Sequence, residues 1–438
     1  MQAFNDSEAT QEFFGLKPVS QDRYIVSNQL PLETLDRYWT LGLEAIAKGE
    51  VCVIVLAGGQ ASRLGASQPK GTLPLGLTPD CDTLFALQAY RIRRLQYLAN
   101  IKYPGSNAVI PCESNFQETF KYFDENLESF GIRKEDIHIF MQQQIPCFDF
   151  NGNLILSDRG KIAMSPNGNG GLYAAIKPFL KSMRLSGIQY IHVYCVDNIL
   201  CRVADPYFIG FCAANNVDCA AKVIERKDPS ESVGVFCECQ NKIRLVEYSE
   251  IPRKLMEEHD QFGDLMFRGG NIANHLFTID FMRKGTDYFT VRSFKETANT
   301  VNFACFAVCF DQCAMPYHRA IKKIPYFDGT KIVKPATPNG IKLELFVTDT
   351  FEYARNFYLW EVQRDAEFSP LKNPDAAGKD CLSTCLNDIY ELNRKWLVRN
   401  GAKINGSPRI FIHPLKSFDG EELEEYSGVS ISEDLVVR

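Results

Sequence analysis

A glycine-rich segment combines the residue types that bind phosphate groups. Residues 56–71 read LAGGQASRLGASQPKG and follow an apolar run. Gly58 and Gly59 allow the backbone to approach a ligand, and consecutive N–H groups in such a turn form an anion-binding concavity. Arg63 adds a planar guanidinium and Lys70 an ammonium charge. The glycines alone would indicate only a tight turn, but together with these cations they predict a polyphosphate site.

Two better-known phosphate motifs do not fit this segment. It contains no Gly-Lys pair followed by Ser or Thr, as a P-loop requires. Its glycines are not spaced as GxGxxG, so a dinucleotide site of that type is also excluded.

Asp197 and Asn198 follow a second strand pattern, residues 188–196. In open α/β sheets the carboxyl ends of the strands face the ligand crevice. An aspartate there can hold Mg²⁺, which binds few carboxylates together with phosphate oxygens and water, and Mn²⁺ accepts similar oxygen ligands. The alternative is an aspartate that caps the turn after its strand. We expect Asp197 to be the metal ligand, because two cations cannot neutralise a polyphosphate.

Strand and helix patterns alternate around these groups. A continuous β-branched run at 51–57 is typical of a strand buried on both faces. Apolar residues recur at helical spacing in three later segments, and two further runs predict strands; in chain order these are helix 85–99, helix 116–130, strand 137–141, helix 172–183 and strand 188–196. The alternation predicts an α/β fold with a mixed, mostly parallel sheet flanked by helices.

The outer segments are less regular. Residues 1–50 are expected to be mostly helical, 233–248 to form a β-hairpin around Gln240 and Asn241, and 346–361 to be helical. Residues 286–314 are rich in Phe and Cys and resemble an insertion. Short β-like runs broken by Gly and Pro follow residue 401. This pattern predicts a small C-terminal β element.

Composition excludes several classes of protein. The chain has 438 residues, 45% hydrophobic and 23% charged, with a formal net charge of -6. An acidic chain is a poor general binder of nucleic acid or membranes. The fifteen cysteines are odd in number and form no CxxC pair, which argues against zinc ribbons and disulfide frameworks. The first eleven residues do not follow a signal-peptide pattern, so a cytoplasmic protein is expected.

Several segments, taken together, resemble one enzyme family. LAGGQ, Arg63-Leu64-Gly65 and Pro69-Lys70-Gly71 are similar to the signature of uridylyl-transferring sugar pyrophosphorylases, in particular the UDP-N-acetylglucosamine pyrophosphorylases of eukaryotes. Further runs resemble that family in the same order, namely GNGGLY (168–173), IHVYCVDNIL (191–200), VADPYFIGFC (203–212), VEYSE (246–250), GNIANH (270–275), PNGIKL (338–343) and EFSPLKN (367–373). The chain departs from the family at two places. Ala61 stands where the family usually has Gly, and Cys112-Glu113-Ser114 is the nearest match to the Met/Glu-Thr-Ser triplet that the family usually has after its second strand.

The resemblance implies a role for each matching position. It places uridine and phosphate contacts at Leu56, Ala57, Gly58, Gly59, Gln142, Gly168 and Asn169, and sugar contacts at Gly234, Glu247, Asn271 and Phe346. The Gln142 amide offers the donor and acceptor that an imide edge requires. Arg63, Lys70 and Lys372 are implied as catalytic cations, with Asp197 holding Mg²⁺. Without the resemblance, Gln142, Glu247 and Lys372 would be read as solvated side chains and Phe346 equally well as a core aromatic.

The implied fold is a Rossmann-like nucleotidyltransferase domain of the GT-A-like type at 50–375, with a mostly helical segment at 1–49 and a small C-terminal domain with β elements at 376–438. The implied activity transfers uridylyl from UTP to N-acetylglucosamine 1-phosphate and releases pyrophosphate. UTP and an N-acetylhexosamine 1-phosphate are the expected partners. Two alternatives remain, a UDP-glucose or broad-specificity UDP-sugar pyrophosphorylase and a non-catalytic nucleotide-sugar sensor.

Overall fold

A computed structural model describes residues 15–57, 64, 68–104, 112–114, 117–248, 250–291 and 315–438. The helices in these ranges are α1 (Leu32–Ala47), α2 (Leu84–Lys102), α3 (Gln117–Phe130), α4 (Leu172–Ile176), α5 (Leu180–Leu185), α6 (Pro206–Ala214), α7 (Arg253–Met256), α8 (Ile279–Val291), α9 (Arg364–Glu367) and α10 (Leu382–Arg399). Short 3₁₀ segments near the candidate site are Lys70–Thr72, Asn169–Gly171 and Val347–Tyr353.

The strands of the first half are β1 (Lys17–Pro18), β2 (Tyr24–Val26), β3 (Val51–Leu56), β4 (Pro74–Thr78), β5 (Cys81–Thr83), β6 (Cys112–Ser114), β7 (Ile137–Ile139), β8 (Gln144–Pro146), β9 (Leu156–Asp158), β10 (Lys161–Ile162), β11 (Met164–Pro166) and β12 (Tyr190–Cys195). Those of the second half are β13 (Cys219–Glu225), β14 (Val235–Cys239), β15 (Lys242–Val246), β16 (Gly269–Thr278), β17 (His318–Lys322), β18 (Tyr326–Phe327), β19 (Ile332–Val333), β20 (Gly340–Glu344), β21 (Phe357–Val362), β22 (Lys403–Ile404), β23 (Ile410–Ile412), β24 (Ser430–Ile431) and β25 (Leu435–Val437).

A central sheet runs in the order β2-β21-β13-β16-β12-β3-β6-β7. Only β16 is antiparallel to its neighbours β12 and β13; the other pairs along this path are parallel. The expected α/β class and the mixed, mostly parallel sheet are therefore confirmed. The hairpin β14–β15 extends the sheet, and its turn residues Gln240 and Asn241 both have positive φ, as the hairpin prediction requires.

Helices cover both faces of the sheet, which explains the continuous apolar run of β3. All six residues of β3 are buried. Val53 and Val55 pack in one core with α1, α2, α6 and α10, whereas Cys52 and Ile54 pack in a second core with α4, α5 and α8. A strand that is buried on both faces has apolar side chains on both, so its sequence does not alternate between apolar and polar residues.

The predicted helix at 346–361 is wrong. A 3₁₀ segment ends at Tyr353, and Phe357–Val362 form β21 between β2 and β13. The inner position of β21 buries apolar residues on both faces, so period-two alternation is lost and the run resembles a helix. The predicted helix 172–183 is divided into α4 and α5, with Pro178 between them, because proline cannot continue a helical hydrogen-bond pattern.

The ends of the chain add elements that the sequence did not predict. α1 agrees with the helical expectation for the N-terminal segment, but β1 and β2 also join the central sheet. α10 precedes the expected C-terminal strands, which pair as β22 with β24 and β23 with β25. Of the residues 286–314, those from 292 onward lie outside the described part, and 286–291 complete α8.

Candidate functional site

Neighbouring parallel strands bring Leu56 and Asp197 to the same edge of the sheet. Leu56 ends β3 and is directly opposite Cys195, which ends β12. Asp197 follows two residues later, so its carboxylate lies beyond the carboxyl end of the sheet, where α/β folds bind ligands. Ala57, next to Leu56, is buried. Gly58, Gly59 and Arg63 lie outside the described residues, so their predicted phosphate contacts stay predictions.

Lys70 and Asp197 form an ion pair at this edge. The Lys70 Nζ lies 3.4 Å from the Asp197 Oδ2, and the side chains are only 14% and 19% exposed. Partial burial makes such a pair stronger than a solvated one, because water screens it less. A cation and a carboxylate side by side can contact both the oxygens and the counter-ion of a bound polyphosphate.

A distant loop is hydrogen-bonded to the residues around Asp197. The buried Asn198 side chain accepts from Ser369 N at 2.9 Å and donates to Glu367 O at 2.7 Å. Leu371 N donates to Asp197 O at 2.8 Å. These bonds hold the loop that carries Lys372 against the sheet edge.

The Cys195 thiol lies among the charged groups of Asp197, Lys70 and Lys372. Burial raises its pKa to about 12, and the Asp197 carboxylate adds to that rise. The charges of Lys372 and Lys70 oppose it. Both ammonium groups therefore lie close enough to one thiol to influence it, although they are 302 positions apart in the chain, from 70 to 372. The thiol itself is un-ionised near neutral pH.

Gln142, Gly168 and Asn169 lie together on the other side of the site. The Gln142 amide donates to the Gly168 carbonyl. Gly168 has φ +85°, and a Cβ there would lie 2.4 Å from the Leu345 carbonyl oxygen, so only glycine fits. The Asn169 side chain accepts from Val347 N at 2.8 Å. Gly168 and Asn169 lie just before α4, a helix of five residues.

One cavity of about 310 Å³ joins both sides. Its lining consists of Leu56, Lys70, Gln142, Ser165, Pro166, Gly168, Asn169, Cys195, Val196, Asp197, Lys342 and Glu344. Sequence reasoning singled out half of these. It missed Lys342 and Glu344, although the family-like run PNGIKL includes Lys342, and it missed Ser165, whose buried hydroxyl has no hydrogen-bond partner among the described residues. An unpaired buried hydroxyl can be satisfied by a ligand.

The predicted sugar contacts form a second group near the Glu344 end of the cavity. Asn271 N donates to Gly234 O at 2.8 Å, and a Cβ on Gly234 would lie 3.3 Å from the Glu247 Oε1. Burial raises the pKa of the Glu247 carboxyl, and Glu250, Asp349 and Glu344 raise it further. The Asn271 amide oxygen accepts from Ala273 N at 3.0 Å, which holds that side chain in place.

Phe346 lies in the same region and stacks on a residue that sequence reasoning missed. The rings of Phe346 and His318 are 4.1 Å apart between centroids and inclined by 19°. His318 Nε2 is 3.0 Å from the Asp349 Oδ1, and Nδ1 is 3.7 Å from the Glu250 Oε1. Nothing in the local sequence points to His318, because these partners lie far from it along the chain.

A single magnesium or manganese ion fits the residues at Asp197. Asp197 lines the cavity with a partly exposed carboxylate, and Mg²⁺ in phosphate sites needs only one or two carboxylates beside phosphate oxygens and water. The described ranges contain no cluster of three or more His, Cys, Asp or Glu that could hold an ion without a substrate. A single carboxylate such as Asp197 suits an ion that is also bound by phosphate oxygens and water.

Known proteins resemble the chain along nearly its whole length. The family model described as UTP--glucose-1-phosphate uridylyltransferase matches residues 15–420. A protein named probable UDP-N-acetylglucosamine pyrophosphorylase from Caenorhabditis elegans is 43% identical over 98% of this chain and 85% of its own length. The UDP-N-acetylglucosamine pyrophosphorylase of Saccharomyces cerevisiae is 37% identical over 95% and 83%. The crystal structure of the uridine diphosphate N-acetylglucosamine pyrophosphorylase from Trypanosoma brucei with an inhibitor superimposes with a TM-score of 0.81, at 28% identity, covering 99% and 90%.

Proposed function

The chain belongs to the UTP–glucose-1-phosphate uridylyltransferase family, and we propose that within it the protein transfers the uridylyl group of UTP to N-acetylglucosamine 1-phosphate. The products are UDP-N-acetylglucosamine and pyrophosphate. The relatives of 37% and 43% identity that carry the name UDP-N-acetylglucosamine pyrophosphorylase support this choice of sugar.

The observation that carries the proposal is the Lys70–Asp197 pair in the cavity that Gln142 and Gly168 also line. Uridine would lie at the Gln142 side, where an amide can pair with the uracil edge. The phosphates would then reach Lys70 and Asp197, and the sugar would extend toward Glu247, Asn271 and Phe346.

The reaction is a direct in-line displacement. An oxygen of the sugar 1-phosphate forms a bond to the α-phosphorus of UTP while the bond from that phosphorus to the bridging oxygen breaks. The attacking phosphate is already ionised, so no general base is required. Lys372 would hold the α-phosphate, while Lys70 and Arg63 would stabilise the charge that grows on departing pyrophosphate. Catalysis thus depends on positioning and on charge neutralisation.

Asp197 would hold a magnesium ion, for which manganese could substitute. Bound there, the ion would neutralise phosphate oxygens that Lys70 and Lys372 cannot reach alone. Lys70, whose Nζ lies 3.4 Å from the Asp197 Oδ2, would contact the same phosphate group as the ion.

The architecture that we propose is a GT-A-like, Rossmann-like nucleotidyltransferase domain at 50–375, after a segment at 1–49 and before a small domain at 376–438. The last part has its own core around Leu397, Ile410 and Leu423. No helix in the described ranges is both long and apolar enough to cross a membrane. We propose a reducing cytoplasm as the compartment, supported by the cysteines whose side chains the structure describes, which form no disulfide.

A substrate panel tests the function. Pyrophosphate release from UTP is measured with the 1-phosphates of N-acetylglucosamine, N-acetylgalactosamine and glucose, at saturating Mg²⁺. We expect N-acetylglucosamine 1-phosphate to give the highest kcat/KM and Asp197→Ala to reduce it by about a hundredfold or more. A preference for glucose 1-phosphate would favour the UDP-glucose alternative, and binding without pyrophosphate release would favour a sensor. Near-normal turnover of Asp197→Ala would remove Asp197 as the metal ligand.

A further inference from the structure

His318 lies within the sugar side of the proposed active site, although the proposed reaction assigns it no step. It begins β17, and only 12% of its side chain is exposed. In the pairing of β17 with β20 it is directly opposite Glu344, which lines the cavity. Directly opposite residues of an antiparallel pair share one face of the sheet. His318 is therefore placed where the cavity meets the group formed by Gly234, Glu247 and Asn271.

The imidazole ring connects two further pieces of backbone to this strand. Its face stacks on the Phe346 ring at 4.1 Å. Its Nε2 contacts the Asp349 carboxylate, whose Oδ2 in turn accepts from Phe346 N at 3.1 Å. Its Nδ1 faces Glu250, three residues after Glu247. Removing the ring would take away the stacking partner of Phe346 and the positive partner of the Asp349 and Glu250 carboxylates.

The charges around His318 are mostly negative. Carboxylates approach from each element packed against it: Asp349 from the 3₁₀ segment, Glu250 and Glu247 from the turn after β15, and Glu344 from β20. The cation that β20 contributes is Lys342, two residues from Glu344 and on the same face of the strand. A protonated His318 is the positive charge that directly contacts Asp349 and Glu250.

We propose that the His318 imidazolium is a positioning residue that shapes the sugar pocket, by stacking on the Phe346 ring and by holding Asp349 and Glu250 beside the predicted sugar contact Glu247. This rests on the proposed function. His318 touches neither phosphate nor the reacting atoms in this arrangement, so its loss weakens binding of the sugar 1-phosphate and leaves UTP binding nearly unchanged.

The protonation state of His318 supports the proposal. Burial alone would lower the His318 pKa, but hydrogen bonds and charge interactions with Asp349 and Glu250 outweigh it and raise the pKa to about 9. The imidazolium also opposes the rise in the Glu247 pKa that burial causes. Because the His318 pKa is higher in the folded protein than the value of 6.5 expected in the unfolded chain, its protonation stabilises the fold, and this contribution is complete below pH 6.5. That stabilisation declines as the pH rises and is lost above about 9.

Two variants remove the charge in different ways. His318→Phe keeps a ring that can stack on Phe346 but loses the charge and the hydrogen bonds. His318→Gln keeps a donor toward Asp349 but loses the charge and the ring. The matched control is His259→Gln, at an exposed histidine. Initial rates are measured from pH 6.5 to 10, varying each substrate in turn.

We expect KM for N-acetylglucosamine 1-phosphate to rise about tenfold in both variants at pH 7.5, while KM for UTP and kcat stay within about threefold. In the wild-type enzyme, the same KM should rise as the pH passes 9 and approach that of the variants, whose KM should vary little with pH. An equal loss toward both substrates, or no change, would overturn the proposal.

A second measurement keeps the inference separate from the proposed function. Thermal unfolding of substrate-free wild type and His318→Gln is followed from pH 6 to 10. The wild type should be the more stable below pH 6.5, and the difference should shrink toward zero above pH 9. If the wild type turns over no N-acetylglucosamine 1-phosphate, the proposed function fails whatever the unfolding shows. If the wild type does turn over that sugar phosphate but the stability difference does not depend on pH, the proposal that His318 is protonated is wrong.

Discussion

The side chain of Asn198 accepts a hydrogen bond from the backbone N–H of Ser369 at 2.9 Å, across 171 residues of chain. The same side chain donates to Glu367 O and accepts from Leu200 N, so its amide is bonded on both sides. Asp197 precedes it, and Lys372 follows Ser369 by three residues. One buried amide thus connects the proposed metal ligand with the proposed α-phosphate cation.

Asn198→Ala should reduce both stability and turnover. The substitution leaves Ser369 N–H and Glu367 C=O without their partner inside the protein, and each unsatisfied buried group costs about 1–3 kcal/mol. We expect urea unfolding to show a loss of about 2–4 kcal/mol, with kcat reduced more than the UTP KM is raised. Asn151→Ala, at an exposed turn, is the control. Wild-type stability in Asn198→Ala would contradict this account.

Lys70→Ala should slow the chemical step. Lys70 faces charge that increases as pyrophosphate departs, and an interaction that is stronger in the transition state lowers kcat when it is lost. We expect a fall of about a hundredfold in the single-turnover rate, with UTP KM within about threefold. Lys323→Ala, at an exposed lysine, should match the wild type. An unchanged single-turnover rate with a higher KM would show that Lys70 only anchors UTP.

Gln142→Ala should weaken the choice of base. A polar pocket discriminates because a mismatched base leaves buried groups unpaired. We expect the kcat/KM ratio of UTP over CTP to fall by about tenfold or more. The exposed Gln144, two residues further on, gives the matched control Gln144→Ala. Equal use of UTP and CTP by the wild type, unchanged in Gln142→Ala, would exclude this role.

Lys222→Met should destabilise the protein strongly. Lys222 is fully buried; its Nζ lies 2.6 Å from the Asp205 Oδ2 and also contacts the Glu367 carboxylate. Removing one partner of a buried ion pair leaves uncompensated charge and typically costs about 3–5 kcal/mol. Chemical denaturation would measure the loss, with Lys227→Met at an exposed position as the control. Because Glu367 lies near Ser369, turnover should fall as well. A variant as stable as the wild type would contradict this account.

The sequence by itself located the residues at the ends of β3 and β12. A buried run followed directly by polar residues is a local pattern, and parallel strands present their carboxyl ends at one edge whatever the rest of the fold. Leu56, Lys70 and Asp197 were identified in this way or by resemblance, and the structure places them around one cavity. The role of Gln142 depended on the resemblance, because a glutamine after a strand is not by itself distinguished from a solvated side chain. Gly168 and Asn169 precede a helix pattern, whose N-terminus can face a ligand, but only the resemblance assigned them to the uridine side.

The tertiary structure decided the features that depend on contacts between segments far apart in the chain. Phe357–Val362 become a strand because β2 and β13 flank them, and an apolar run buried on both faces has no distinguishing period. His318 joins the sugar side because pairing with β20 brings it to Phe346 and Asp349. Asn198 reaches Ser369 for the same reason: both contacts are made between segments far apart in the chain. Their partners are fixed only when the sheet assembles, since burial and charge at a position depend on which elements pack around it.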